Sequence, residues 1–209
     1  MNGLLKAQTA FLQKPLNLLS RALLVLSAVF IVAAAYFPLW HINLVAPQYE
    51  EGLNMYIYSY QIKGGNNGHD LTEIDMLNHY IGMKSISQTP FIEMQIMTFM
   101  FGLFIMLALR AAVMGYIGAV VDLFFLASYF GCFAIGSFFF RLYTYGHNLD
   151  PTAPVQIEPF TPILFGTQQI ANFVQSSYPE LGSYFLFGFV LLLVLSIWFS
   201  RKEEPLTLS

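Results

Sequence analysis

LGSYFLFGFVLLLVLSIWFS, residues 181–200, runs twenty residues without a charged side chain and is closed by Arg201 and Lys202. At about 1.5 Å of rise per residue, a helix of that length crosses the ~30 Å hydrocarbon core of a bilayer. Three more apolar runs occupy residues 22–40, 91–109 and 123–142. Composition agrees: the 209 residues are 56% hydrophobic and only 10% charged, where a soluble domain carries about 25% charged residues. The chain is expected to be an all-α membrane protein with four transmembrane helices.

The remaining segments divide the chain. Residues 1–21, with Lys6, Lys14 and Arg21, read as an amphipathic lead-in at a membrane surface. Ala33-Ala34-Ala35 imitates a signal-peptidase site, but the apolar run continues to Leu39, so an uncleaved span ending near Trp40 is expected. Two long polar loops follow, 41–90 and 143–180. Residues 110–122 form a short connection, with Asp122 capping the third span, and 201–209 form a tail. Thr89-Pro90 is a helix start, with Glu93 in the first turn of the second span. Ser128, Cys132 and Gly136, four residues apart, allow a neighbouring helix to approach.

Four spans put both termini on one side. Six of nine basic residues, Lys6, Lys14, Arg21, Arg110, Arg201 and Lys202, fall there, for a net +3 against three acids. The positive-inside rule makes that side cytoplasmic. The other side carries three bases, Lys63, Lys84 and Arg141, against nine acids, a net of −6, together with all four histidines. A bacterial cytoplasmic membrane with extracytoplasmic loops is the expected location.

Within the first loop, HINLVA reads as a strand. NMYIYSYQI alternates Tyr56, Tyr58 and Tyr60 with Met55, Ile57 and Ser59, the period of a strand with one aromatic face. GGNNG at 64–68 is a turn. DLTEIDMLNHYIGM, residues 70–83, reads as a helix opened by a Thr72–Asp75 capping box and closed at Gly82. Helical spacing puts Met76, His79 and Met83 on one face, and two thioethers with an imidazole suit a soft cation such as Cu(I). The alternative is that the methionines fill space and His79 is an interfacial hydrogen-bonding group. In the second loop the prolines at 151, 154, 159 and 162 favour extended chain. Thr167 is expected to cap a short helix with Ile170, Phe173 and Val174 as its apolar face. The loops are thus expected to carry short helices, with room for a small β-hairpin.

Enzymatic chemistry finds little support: GxSxG, HExxH and phosphate-cradling loops are all missing from the sequence. The lone Cys132 excludes an intrachain disulfide and CxxC chemistry. Nothing in the charge pattern points to nucleic acid.

FPLWHINLVAPQYEEGL, LNHYIGMKSI and YGHNLDPTAPVQIEPFTP resemble segments of small bacterial four-span membrane proteins associated with nitrous oxide reductase gene clusters, beside a copper-chaperone lipoprotein. The resemblance covers roughly residues 20–200. It implies an accessory role for a periplasmic copper enzyme, by copper handling or electron supply, with copper as the implied cofactor. His79 and Met83, with Met76 and with His147 of the second loop, are then the metal ligands to test. The partner is the copper enzyme, its chaperone or a respiratory complex. The alternative is a non-catalytic anchoring or assembly subunit that docks a partner through Tyr56, Tyr58, Tyr60 and Phe160.

Overall fold

The structure is a computed structural model that describes residues 2–170 and 173–204; residues 205–209 of the expected tail lie outside the described residues. In chain order it contains α1 (Asn2–Leu12), α2 (Leu18–Tyr36), β1 (Trp40–Ala46), β2 (Tyr49–Ile57) and β3 (Ile62–Gly64). A 3-10 turn (Asn66–Gly68), α3 (His69–Tyr80), α4 (Ile92–Met114) and α5 (Ile117–His147) follow. β4 (Gly166–Ile170), β5 (Phe173–Pro179) and α6 (Leu181–Ser200) complete it. Helices α2, α4, α5 and α6 are each long and apolar enough to cross a membrane, and the protein is a membrane protein.

The all-α expectation is corrected by a five-stranded antiparallel sheet, in the order β3-β2-β1-β5-β4. The sheet joins the two polar loops, since β1 pairs with β5 from Trp40 opposite Pro179 to Val45 opposite Val174. Strands from before α4 and after α5 meet in one sheet, which requires both loops to leave the same side of the membrane. The helix expected around Thr167 is replaced by the β4–β5 hairpin, with Ile170 opposite Phe173. The apolar trio matched a helical period, but the strand places Gln175 and Ser177 inward. Their side chains donate to the carbonyls of Ile163 (3.4 Å) and Leu164 (2.9 Å).

Span limits also shift. The first runs 18–36, because Pro38 stops the helix and Trp40 already belongs to β1. The connection expected over 110–122 shrinks to Gly115 and Tyr116. LALRAAVM holds good helix formers, so α4 continues to Met114 until Gly115, with φ +73°, turns the chain. Asp122 is therefore not a cap but an exposed residue inside α5. That helix extends past 142 to His147. Its small-residue row meets no neighbour at Gly136, where an added Cβ would find open space. Helix α3 starts at His69 after Gly68 (φ +95°), not at a Thr72 cap. The Asp75 carboxylate instead gathers the following loop, accepting from Ile86 N–H (2.6 Å), Ser87 N–H (3.1 Å) and the Ser85 hydroxyl (2.8 Å).

The chain forms two compact units. The first comprises Met1–Ala34, Phe99–Cys132 and Tyr184–Ser209. Its interior is Leu24, Ile31, Phe104, Ile117, Val120, Leu123, Phe189 and Leu193, all buried. Phe104 stacks on Phe189 at 5.9 Å between centroids, and Gly188 lets the Phe30 ring lie where a Cβ would stand. At the basic end α2 and α6 are joined by buried serines. Ser20 donates to the Ser196 carbonyl at 2.7 Å, and Ser200 donates to Ser20 at 2.7 Å. Such hydroxyl bridges satisfy polar groups where lipid offers no partner.

The second unit comprises Ala35–Thr98 and Phe133–Ser183. Its core is Ile42, Leu53 and Met55 of the sheet against Ile74 of α3, ringed by Trp40, Leu44, Ile57, Leu77 and Phe138. The buried Asp70 carboxylate accepts the backbone N–H of Asn54 at 2.8 Å, tying the first turn of α3 to β2.

Candidate docking face

Strand alternation sends Trp40, Ile42 and Leu44 into that core and turns His41, Asn43 and Val45 to the opposite face. Register then arranges the opposite face in rows. One row reads Lys63, Tyr56, His41, Tyr178 across β3, β2, β1 and β5. The next reads Asn54, Asn43, Ser176, Thr167, and the third Val45, Val174, Gln169. Val45, Lys63, Thr167, Gln169, Val174 and Tyr178 are exposed, so this face is open to solvent.

The rows are internally fixed. The His41 ring stacks on Tyr56, 4.6 Å between centroids and 10° apart, as cross-strand neighbours do. Asn54 Oδ1 accepts from His41 Nε2 and from Asn43 Nδ2, each at 2.9 Å. A neutral His41 therefore carries its proton on Nε2, and Nδ1 faces Glu180 Oε1 at 4.0 Å. Thr167 Oγ1 lies 3.0 Å from the Ser176 hydroxyl and 3.3 Å from that of Tyr178, whose ring meets Phe165 edge to face. Few rotamers remain to be frozen when a partner lands, which lowers the cost of association. Of the three tyrosines expected on one strand face, only Tyr56 lies in the sheet. β2 ends at Ile57, and Tyr58 N–H turns back to the Gln61 carbonyl at 2.8 Å.

The four residues singled out as metal ligands are placed as follows. Met76 and His79 lie one turn apart on α3 and are exposed. Met83 does not continue their face, because the helix ends in a Schellman motif: Gly82 has φ +79°, Gly82 N–H bonds the His79 carbonyl and Met83 N–H bonds that of Asn78. His147, at the end of α5, donates from Nδ1 to the Tyr143 carbonyl at 2.9 Å and stacks on that tyrosine, leaving Nε2 free. What the structure does bring together is the two loop segments. Asp150 N–H bonds the Gly82 carbonyl at 2.8 Å, and Val155 N–H bonds that of Tyr80 at 3.0 Å. The Asp150 carboxyl is held below the usual carboxylate range by the Thr152 hydroxyl and N–H, with His79 as the smallest contribution. Among the described residues no three His, Cys, Asp or Glu side chains are grouped to hold a metal. The donors present are thus one imidazole and one thioether on a helix stripe, with a second imidazole on the neighbouring segment.

A further acidic groove of about 630 Å³ lies between the β1–β2 turn and α3, lined by Glu50, Glu51, His69, Asp70 and Glu73 among others. Within it Glu73 accepts the Tyr49 hydroxyl, a bond that raises the pKa of the phenol. No local stretch reveals the whole open face, since its rows cross from β1 to β5, some 130 positions apart in the chain. No protein-family model matches the chain, and no curated protein matches it.

Proposed function

We propose that this protein is an integral membrane accessory subunit whose sheet docks a partner protein at the extracytoplasmic surface. The observation that supports it is the open face, with its stacked His41–Tyr56 pair, Tyr178, and a polar row held by hydrogen bonds. Aromatic residues flanked by ordered polar groups are the composition of an interface rather than of a solvated sheet. A lone sheet face exposing Val45, Val174 and Tyr178 also gains from being covered. The sequence resemblance makes a periplasmic copper enzyme of the nitrous oxide reductase type, or its copper chaperone, the first partner to test. A respiratory membrane complex is the next. Purification of the tagged full-length chain in mild detergent should bring down a partner in fixed proportion. Recovery of the chain alone, from cells that make the candidate enzyme, would contradict this reading.

A second reading has an observation of its own. LNHYIGM and YGHNLDP lie against each other through Gly82 and Asp150, so His79 and His147 sit on neighbouring segments. On this reading the junction passes Cu(I), with Met76, His79 and His147 Nε2 as the soft or borderline donors. Uptake of Cu(I) by the purified protein that disappears in the His79→Ala, His147→Ala double variant would support it. Uptake that is nil, or unchanged in that variant, would remove it.

A further inference from the structure

The basic end of the helical unit carries an apolar groove of about 240 Å³. Its walls are Phe11 of α1, Phe124 of α5, and Val194, Ile197 and Trp198 of α6, and Arg201 alone among the lining residues is charged. The Arg201 guanidinium lies on the Trp198 indole, 3.4 Å from the ring centroid. Stacking occupies the guanidinium face and leaves its N–H edge able to grip an oxyanion. Lys14 Nζ donates to the Arg201 carbonyl at 2.7 Å, which holds a second cation at the same place. The following Glu203 is turned toward Asn17, its Oε1 3.5 Å from Nδ2. Asp122 of α5 is not part of the lining.

We propose that this groove binds one acyl chain of an anionic glycerophospholipid, with the lipid phosphate on Arg201. Three observations converge. The walls are hydrocarbon and aromatic, four of them on α5 and α6, which are long and apolar enough to cross the membrane, and Phe11 on α1. The cation stands at the end of α6, where a chain meets its head group. Tryptophan and arginine side by side are the residue types that settle at the head-group level. Charge complementarity selects an anionic head over a zwitterionic one. The assignment is independent of the docking face.

Acyl-chain bromines quench tryptophan on contact, and the chain has two tryptophans, so a Trp40→Phe background leaves Trp198 as reporter. The full-length protein is placed in phosphatidylcholine bilayers doped with phosphatidylglycerol, with one or the other lipid brominated. Brominated phosphatidylglycerol should quench Trp198 with an apparent affinity about fivefold above that of brominated phosphatidylcholine, the effect of one cation near an anionic lipid surface. Arg201→Gln should bring the two lipids to parity, and Val194→Phe, which fills the groove, should reduce quenching by both. Native mass spectrometry of the unsubstituted chain with equal amounts of the two lipids should retain phosphatidylglycerol preferentially. Equal quenching and equal retention of the two lipids would overturn the proposal. So would a preference left intact by Arg201→Gln, or quenching left intact by Val194→Phe.

Discussion

Arg141 holds Glu93 at two points, Nε to Oε1 at 2.7 Å and Nη2 to Oε2 at 2.9 Å. The pair joins the first turn of α4 to the last third of α5, with Ser137 as a third donor at 3.4 Å and the Phe91 ring 5.5 Å from the guanidinium carbon. Both side chains are mostly buried, at 30% and 24% exposure, so the pair lies between the surface and buried limits of ion-pair energetics. Glu93→Ala or Arg141→Ala should each cost about 2 kcal/mol. The Glu93→Ala, Arg141→Ala double variant should cost less than the two single substitutions together, because no charge is then orphaned. Thermal unfolding in detergent, analysed as a double-mutant cycle, checks this; strict additivity would show that the two groups do not support each other.

Asp70 is buried, and its position follows from the Asn54 N–H that it accepts. Gly65 makes room for it: a Cβ there would stand 2.5 Å from Oδ2. Asp70→Ala orphans that N–H and should destabilise the sheet unit by about 1–3 kcal/mol. Hydrogen exchange should then speed up at Asn54 and along β3, while the amides of α2 and α6 stay protected. Uniform loss of protection would refute the local role.

Gly82 is where the end of α3 meets the second loop, its carbonyl accepting the Asp150 N–H. Its φ of +79° and the Asp150 backbone 2.8 Å from a would-be Cβ leave no room for a side chain. Gly82→Ala should cost about 1–3 kcal/mol and loosen the junction of the two loops. Limited proteolysis between 148 and 156 should accelerate in this variant and stay unchanged in Gly102→Ala, whose Cβ meets nothing.

The Asp150 carboxyl is held below the usual carboxylate range, first by the Thr152 hydroxyl, then by the Thr152 N–H, with His79 adding less. A depressed folded-state pKa means that the stabilisation is present above the ordinary value of roughly 4 and is lost as pH falls through the folded value. Thr152→Val removes the leading donor and should raise the Asp150 pKa. Carbon-13 titration of the labelled carboxyl reads this directly, and an unmoved midpoint would show that the hydroxyl does not control it.

The sequence carries some of this plainly. Membrane spans need only an unbroken apolar run, which is a local property, and the limits of 181–200 coincide with those of α6. The stop at Gly82 and the turn at 64–68 were equally readable, because glycine at positive φ announces itself. The sheet was not, since β1 finds β5 far along the chain and no local period reveals that pairing. Ile170, Phe173 and Val174 satisfied a helical spacing by accident, and only the hydrogen bonds of Gln175 and Ser177 settle which way that segment faces. The helix face expected to carry Met76, His79 and Met83 together stops at the same Gly82. A helix that ends there cannot carry Met83 on the face of His79.

Site-specific photo-cross-linking in native membranes tests the docking face most directly. A benzophenone side chain at Val45, Gln169 or Val174 should capture one and the same partner polypeptide. At Met76 of α3, more exposed than Val45 or Val174 but on the other side of the sheet, it should capture none. Cross-links that form at Met76 and not at the three sheet positions would contradict the account.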